Sequence, residues 1–497
     1  MSVYHRIPTV SFNKWILLEW ENRRILLFSL VIIVVMFGLF KLLYPYPNFM
    51  PPDSQSYIEA AYNNDLINIW AIGYSKFLRL FSCLTKSDFI LVLFQYLLLQ
   101  SSVLYFLFSL AYLISISRRM FSMLVGFNIL NPLLLHISNF ISSDSLFTAL
   151  SLLWFTQLIW ILCKPSRRII LLHAFLLLLV FIMRYSALYY PFISLMIIVI
   201  AKVSANLKWA GIGCILFLLG GFVVLTQYQY YKQTATWQYS AFGGWQLAAN
   251  ALYGYAHVKT DAVEIVPARF RPLHVVVNRH MDSIQHLSHR PDDDNTVYYL
   301  WDEKAPLKVF ANSKKWEGDS GSIGGFNHWA AMGPLYRDYG RYLILQHPKA
   351  FVKYFIWPNL VSYYAPPVGF MGEYNLGSRS VAPIVAVWFG WRSNKVRTCF
   401  KDSDIIVVRY FSVIWGVSNL VFLMGFVSFG FKDHRSSTLN GDKVLWLTRL
   451  LWCVNMTFSV LAAPVELRYQ LFSMIIMFTI SILVITLIFQ GKRIQPL

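Results

Sequence analysis

The chain has 497 residues, of which 57% are hydrophobic, 17% aromatic and only 13% charged. A soluble domain carries roughly 25% charged residues, so this composition excludes an ordinary cytosolic enzyme, and it equally excludes a disordered or collagen-like chain. The net charge of +19 is spread between apolar runs, which favours basic loops beside anionic lipid over a nucleic-acid partner.

A membrane-spanning helix needs about 20 mainly apolar residues. Runs of this kind occupy positions 25–43, 89–114, 120–137, 146–162, 169–183, 187–200, 209–225, 410–429, 444–462 and 471–489. The sequence thus predicts an all-α fold, a polytopic membrane helical bundle of about ten spans. The fifth and sixth runs are short and separated only by Arg184, Tyr185 and Ser186, so one bent element is the alternative to two helices. With both termini inside, sixteen Lys and Arg fall in short inside loops against five in short outside loops. That asymmetry matches the preference of basic loops for the cytoplasmic side and favours the split. The N-terminus is polar and basic, with no small-x-small site after the first apolar run, so no cleaved leader is expected. Five cysteines form no C-x-x-C pair and predict no disulfide framework.

Three parts follow from this layout: an N-terminal transmembrane module (1–226) with a first outside loop at 44–88, a large extracytoplasmic loop domain (227–409), and C-terminal transmembrane helices (410–497). The loop domain has its own composition, including His257, His274, His280, His286 and His289, an acidic run at 292–294 and many Tyr and Trp. Its later part, 351–391, is apolar and rich in Pro and aromatics, which predicts segments lying at the membrane interface.

The candidate chemistry sits at the outer ends of the spans. After the first span come Pro51, Pro52 and then Asp53, with Tyr57 one helical turn later on the same face. Asp53 reads as a helix N-cap, or as a carboxylate that takes a proton from a hydroxyl nucleophile at the membrane surface. Asp144, in Ser142-Ser143-Asp144-Ser145, opens the fourth run on the same side and has the same two readings. Two acids near one leaflet can bind a cation or divide acid and base roles. Arg184 lies between two apolar runs, and Arg468 follows Glu466 just before Tyr469. Ionisable residues at membrane depth face protein or a watery cavity. The planar fork of Arg suits a lipid-linked phosphate, while the plain alternative for Arg468 is an ion pair with Glu466 or snorkelling to headgroups.

Other patterns carry less. No G-x-x-x-x-G-K-[ST] and no G-x-G-x-x-G is present, so a nucleotide-driven pump and a Rossmann enzyme lack their signatures. Gly318-Asp319-Ser320-Gly321 matches a protease nucleophile string without the fold context, and a glycine-rich loop is the simpler account. His286 and His289 with the 292–294 run match no metal-site spacing and read as a solvated polar loop.

The segment around Pro52-Asp53-Ser54, with Tyr57 and Ile72-Gly73-Tyr74, resembles the first outside loop of GT-C glycosyltransferases. The likeness is to the bacterial glycosyltransferase family 39 group, related to protein mannosyltransferases and lipid A aminoarabinose transferases. Asn131-Pro132 followed by Ser143-Asp144, Met183-Arg184-Tyr185 and Arg468-Tyr469 resemble further segments of that group. Two departures stand out: Tyr185 replaces the usual Pro after the Arg, and Ser54 replaces a second acid. The resemblance covers about the first 200 residues, with weaker traces near the C-terminus. It implies a bacterial inner-membrane enzyme that moves a sugar from a polyprenyl-phosphate-linked donor to the hydroxyl of a lipid, glycan or protein acceptor, on the extracytoplasmic face and with inversion. Asp53 would then be the general base, Asp144 would orient the acceptor or bind a cation, and Arg184 or Arg468 would hold the departing phosphate beside Tyr57 and Tyr469. The Ser54 departure leaves a divalent-cation cofactor open. The alternatives are a transporter or flippase of lipid-linked sugars and a surface-glycan polymerase or ligase. A transporter calls for charges deep in several spans and for repeated, broken helices.

Overall fold

The computed structural model describes residues 10–51, 53–114, 116–294, 297–313, 325–430 and 439–491. The Gly318–Gly321 string, singled out in the sequence, lies outside them. The described chain is helical throughout. Its only extended pairings are isolated bridges, Asn48 with Phe140, Glu373 with Asp404 and Ser380 with Lys395.

The first span is α1 (Trp20–Leu43), and the outside loop after it carries α2 (Asp53–Asn63) and α3 (Gly73–Ser82). Next come α4 (Asp88–Ile114), α5 (Arg118–Ile129), α6 (Pro132–Asn139) and α7 (Asp144–Cys163). Pro132 follows the Asn131 cap, whose side chain accepts from the Leu133 N–H at 3.0 Å, and so breaks one span into α5 and α6. The chain continues through α8 (Arg167–Met183), α9 (Tyr190–Ile200) and α10 (Ala205–Thr234). After the outer segment come α15 (Ile406–Gly430), α16 (Leu439–Ala462) and α17 (Leu467–Gly491), with α11 to α14 described below.

Among the described residues, eight helical stretches are long and apolar enough to cross a membrane, which makes the chain a multi-pass helical membrane protein by length and composition. The expectation of about ten spans is corrected at the fifth and sixth. Here α8 has 17 residues and α9 only 11. At about 1.5 Å per residue, α9 reaches roughly half of a 30 Å hydrocarbon core. The two are nevertheless separate elements. Arg184 is extended (φ −153°, ψ 145°), and the chain folds back there. His173 of α8 hydrogen-bonds the Ser194 hydroxyl of α9 at 3.0 Å, so the two helices lie side by side. They form a hairpin with Arg184 at its tip.

Burial sorts the helices into centre and rim. In α7, 83% of the spanning window is buried; in α10 the share is 17%. Hence α4 and α7 are central, while α1, α10 and α15 turn apolar faces outward. On α15, Ile406, Tyr410, Val413, Val417, Leu420 and Met424 form one exposed stripe at helical spacing. Such a stripe suits lipid and would be costly in water.

The stretch between α10 and α15 divides in two. Helices α11 (Ala241–Tyr255), α12 (Arg271–Gln285) and α13 (Gly333–Gln346) bury a separate cluster around Trp245, Tyr255, Leu273, Tyr299, Tyr336 and Tyr339. α11 and α13 cross closely: a Cβ on Gly340 would stand 2.7 Å from the Ala248 backbone nitrogen. By contrast, Tyr363, Met371, Tyr374, Trp388 and Val396, flanking and including α14 (Pro383–Phe389), belong to the core of the membrane module.

Candidate active site

Six polar side chains from four distant parts of the chain meet at one end of the spans. Asp53 opens α2, where Met50 accepts from the Ser54 N–H at 2.9 Å and donates its own N–H to the Ser54 hydroxyl at 2.9 Å. Ser54 thus supplies the local turn, and the Asp53 carboxylate points elsewhere: Oδ2 accepts from Arg468 Nη1 at 2.9 Å. The Asp53 carboxylate is thus in an ion pair across 415 residues of sequence. Asp144 opens α7 likewise, behind Ser143, which makes no side-chain cap. Its carboxylate accepts from the Ser142 hydroxyl at 2.8 Å and is ion-paired with Arg184. The extended backbone of Arg184 at the hairpin tip aims that side chain back at α7.

Arg468 is the hub of the site. Nη1 serves Asp53, Nε donates to Glu466 at 2.9 Å, and Nη2 donates to the Tyr469 hydroxyl at 2.7 Å. Two guanidinium groups approach the Tyr469 ring, Arg468 at 4.7 Å and Arg184 at 5.0 Å from its centroid. The electron-rich ring partly compensates these two like charges. Tyr57 shares a hydrogen bond of 3.1 Å with the Ser143 hydroxyl, which ties α2 to the start of α7.

All six residues expected from the sequence (Asp53, Tyr57, Asp144, Arg184, Arg468 and Tyr469) line a single cavity of about 580 Å³. One wall is apolar: Leu188, Phe458 and Leu461 stand between the start of the α8–α9 hairpin's second arm and the end of α16, with Leu188 and Leu461 also exposed. The outer segment also lines the cavity, through Gln238 just before α11, Phe242 and Gln246 of α11 and Arg337 of α13.

The electrostatics follow from burial. Burial pushes the Asp53 carboxyl above the usual carboxylate range, and Arg468 opposes the rise. Burial pushes Glu466 up in the same way, again against the pull of Arg468. Three carboxylates (Asp53, Asp144 and Glu466) thus face two guanidiniums. Each of the three is within bonding distance of Arg184 or Arg468. Among the described residues no group of three or more His, Cys, Asp or Glu is placed to hold a metal. This donor set does not fit a divalent cation, and no step below runs through one.

Sequence reading missed Glu466 as a site residue, although its place two residues before Arg468 marked it as an ion-pair partner. It also missed Asn455 of α16, which lines the cavity, accepts from the Tyr189 hydroxyl at 2.9 Å and donates to Gln470 at 3.2 Å. An amide inside an apolar span was the available signal. The outer-domain histidines are not brought to this site. His347 pairs with Asp261 at 2.8 Å, His274 with the Tyr339 hydroxyl at 2.8 Å, and Asp292 is held by Arg290 and Tyr299.

Comparison of the chain with protein-family models, with curated proteins and with solved structures finds no match.

Proposed function

We propose that this chain is an integral-membrane glycosyltransferase that moves a sugar from a polyprenyl-phosphate donor to an acceptor hydroxyl. One observation carries the reading: Asp53, Asp144, Arg184 and Arg468 converge in one aromatic-lined cavity at the ends of the spans. A phosphate on a lipid chain is met at that depth, and two guanidiniums beside Tyr469 suit it. The apolar wall at Leu188, Phe458 and Leu461 offers the lipid chain a path from the bilayer. The outer segment supplies polar lining, where a water-borne acceptor would arrive.

In this mechanism the acceptor oxygen attacks the anomeric carbon as its proton passes to Asp53. The bond from that carbon to the phosphate oxygen breaks, the configuration inverts, and the bonding pair leaves on the lipid phosphate. Arg184 and Arg468 stabilise the charge that develops there. Asp53 is paired with Arg468. An arriving phosphate competes for the Nη groups, while Glu466 keeps its hold on Nε, so the donor itself frees the base. Asp144 holds Arg184 in place. Residues 44–88 and 227–409 lie on the extracytoplasmic side of a bacterial inner membrane in this reading, with lipid, glycan and protein all open as acceptors.

The test uses purified protein in lipid with radiolabelled polyprenyl-phosphate sugars and cell-derived acceptors. Release of polyprenyl phosphate by wild type, with donor bound but not released by Asp53→Asn, supports the reading. Movement of lipid-linked sugar between leaflets without turnover replaces it with a transporter.

A further inference from the structure

Two loops at the outer membrane edge are zipped together away from the cavity. Tyr374 N–H donates to Ser403 at 2.7 Å, Val381 to Asn394 at 2.9 Å, Val396 to Arg379 at 3.0 Å and Ile405 to Gly372 at 2.8 Å. The pairing fixes segments 372–381 and 394–405 side by side and leaves a polar cleft of about 710 Å³, whose charged lining is Arg379, Arg397 and Lys401 with Asp402 and Asp404. Arg392 and Lys395 are exposed on the same loops. Among the described residues none of these five basic side chains has a carboxylate within ion-pair distance: of the two acids in the cleft, Asp404 is taken by Arg409 at 2.7 Å and Asp402 pairs with none of the five.

The place of the cleft is set by its ties. The Cys399 N–H donates to the Leu43 carbonyl at 3.0 Å, the last turn of the first span, and the Phe400 ring lies 5.4 Å from Tyr44. The Tyr374 hydroxyl donates to Pro47 at 3.0 Å, so the cleft shares the membrane end of Asp53. Immediately beyond it, the exposed stripe of α15 begins at Ile406 and Tyr410, and Leu42 and Leu43 of α1 are exposed too. Unpaired basic side chains thus sit directly above apolar faces of two spans.

We propose that this cleft binds the phosphate headgroup of an anionic phospholipid in the outer leaflet, with the acyl chains lying along α1 and α15. Basic side chains with no ion-pair partner, standing at the membrane end of two apolar spans, are placed to meet an anionic headgroup. Charge alone would accept any phosphate. The adjoining apolar stripe selects one that carries a lipid tail. The site is separate from the cavity of Asp53, and the proposal stands whether or not that cavity transfers sugar.

The test incubates the full-length protein in detergent with equal amounts of phosphatidylglycerol and phosphatidylcholine and quantifies retained lipid by mass spectrometry. Wild type should favour phosphatidylglycerol, and the preference should weaken with salt. The triple variant Arg379→Gln, Arg397→Gln, Lys401→Gln should lose it by about tenfold or more, since each basic group contributes near an anionic surface. Arg379→Lys with Arg397→Lys should keep it, which separates charge from misfolding. Equal retention of both lipids by wild type, or an unchanged preference in the triple variant, overturns the proposal. So does displacement of the lipid by soluble glycerol phosphate at matching concentration, which would show that the cleft reads phosphate without the tail.

Discussion

Replacing Asp53 with Asn should change binding and turnover in opposite directions. The Asp53 carboxylate accepts from Arg468 Nη1 at 2.9 Å, and both side chains are largely buried, at 14% and 7% exposure. A hydrogen bond to a charged group contributes about 1.5–3 kcal/mol. That contact must be surrendered when a phosphate claims the guanidinium. The amide of Asn still accepts a weaker bond, so the lower end of the range applies, and lipid phosphate should bind roughly tenfold tighter to the variant. Arg468 is not orphaned, because Glu466 remains on Nε at 2.9 Å, so the fold should survive the change. Turnover should fall by about 10²–10⁴, the usual contribution of a positioned base. The assay pairs equilibrium binding of undecaprenyl phosphate with release of lipid phosphate from labelled donor. Weaker binding in Asp53→Asn would refute the competition between Asp53 and phosphate for Arg468. Unchanged turnover would refute the base.

Three further outcomes follow from the same geometry. Glu466→Gln removes the second carboxylate on Arg468, leaves the guanidinium more firmly on Asp53 and should lower turnover, with Glu466→Asp restoring part of it; equal loss in both variants would point to folding instead. Arg184→Lys keeps the charge but loses the fork between Asp144 and the cavity, so undecaprenyl phosphate should bind about tenfold more weakly. The pH profile of transfer gives a third check. A base must be unprotonated, and burial raises the Asp53 carboxyl despite Arg468. Activity should therefore fall on acidification at a pH above the ordinary Asp value of about 3.9, and this limb should vanish in Asp53→Asn. In the outer helices, Gly340→Val would drive a side chain into the Ala248 backbone across the α11–α13 crossing and should destabilise that cluster by about 1–3 kcal/mol, read as a lower thermal midpoint.

The sequence by itself determined that this is a helical membrane protein and where most of its spans lie. A run of apolar residues near 20 long has few other uses, and that information is local. It also singled out Asp53, Asp144, Arg184 and Arg468, because a charge at the edge of an apolar run is costly unless it faces something polar. Span count was less legible at 169–200. Hydropathy registers apolar content there, whereas the length of α9 is set by the fold-back at Arg184 and by packing against α8, α7 and α10. The roles of the boundary carboxylates could not be read locally either. Asp53 and Asp144 both stand where a helix begins, and the cap reading fits that position as well as any. Only the tertiary structure supplies their ion-pair partners, because Arg468 and Arg184 lie 415 and 40 residues away. The same holds for Glu466, and for the basic cleft at 379–401, whose two loops become one surface through hydrogen bonds between their backbones. Contacts between distant segments depend on how helices pack, and no local pattern encodes that packing.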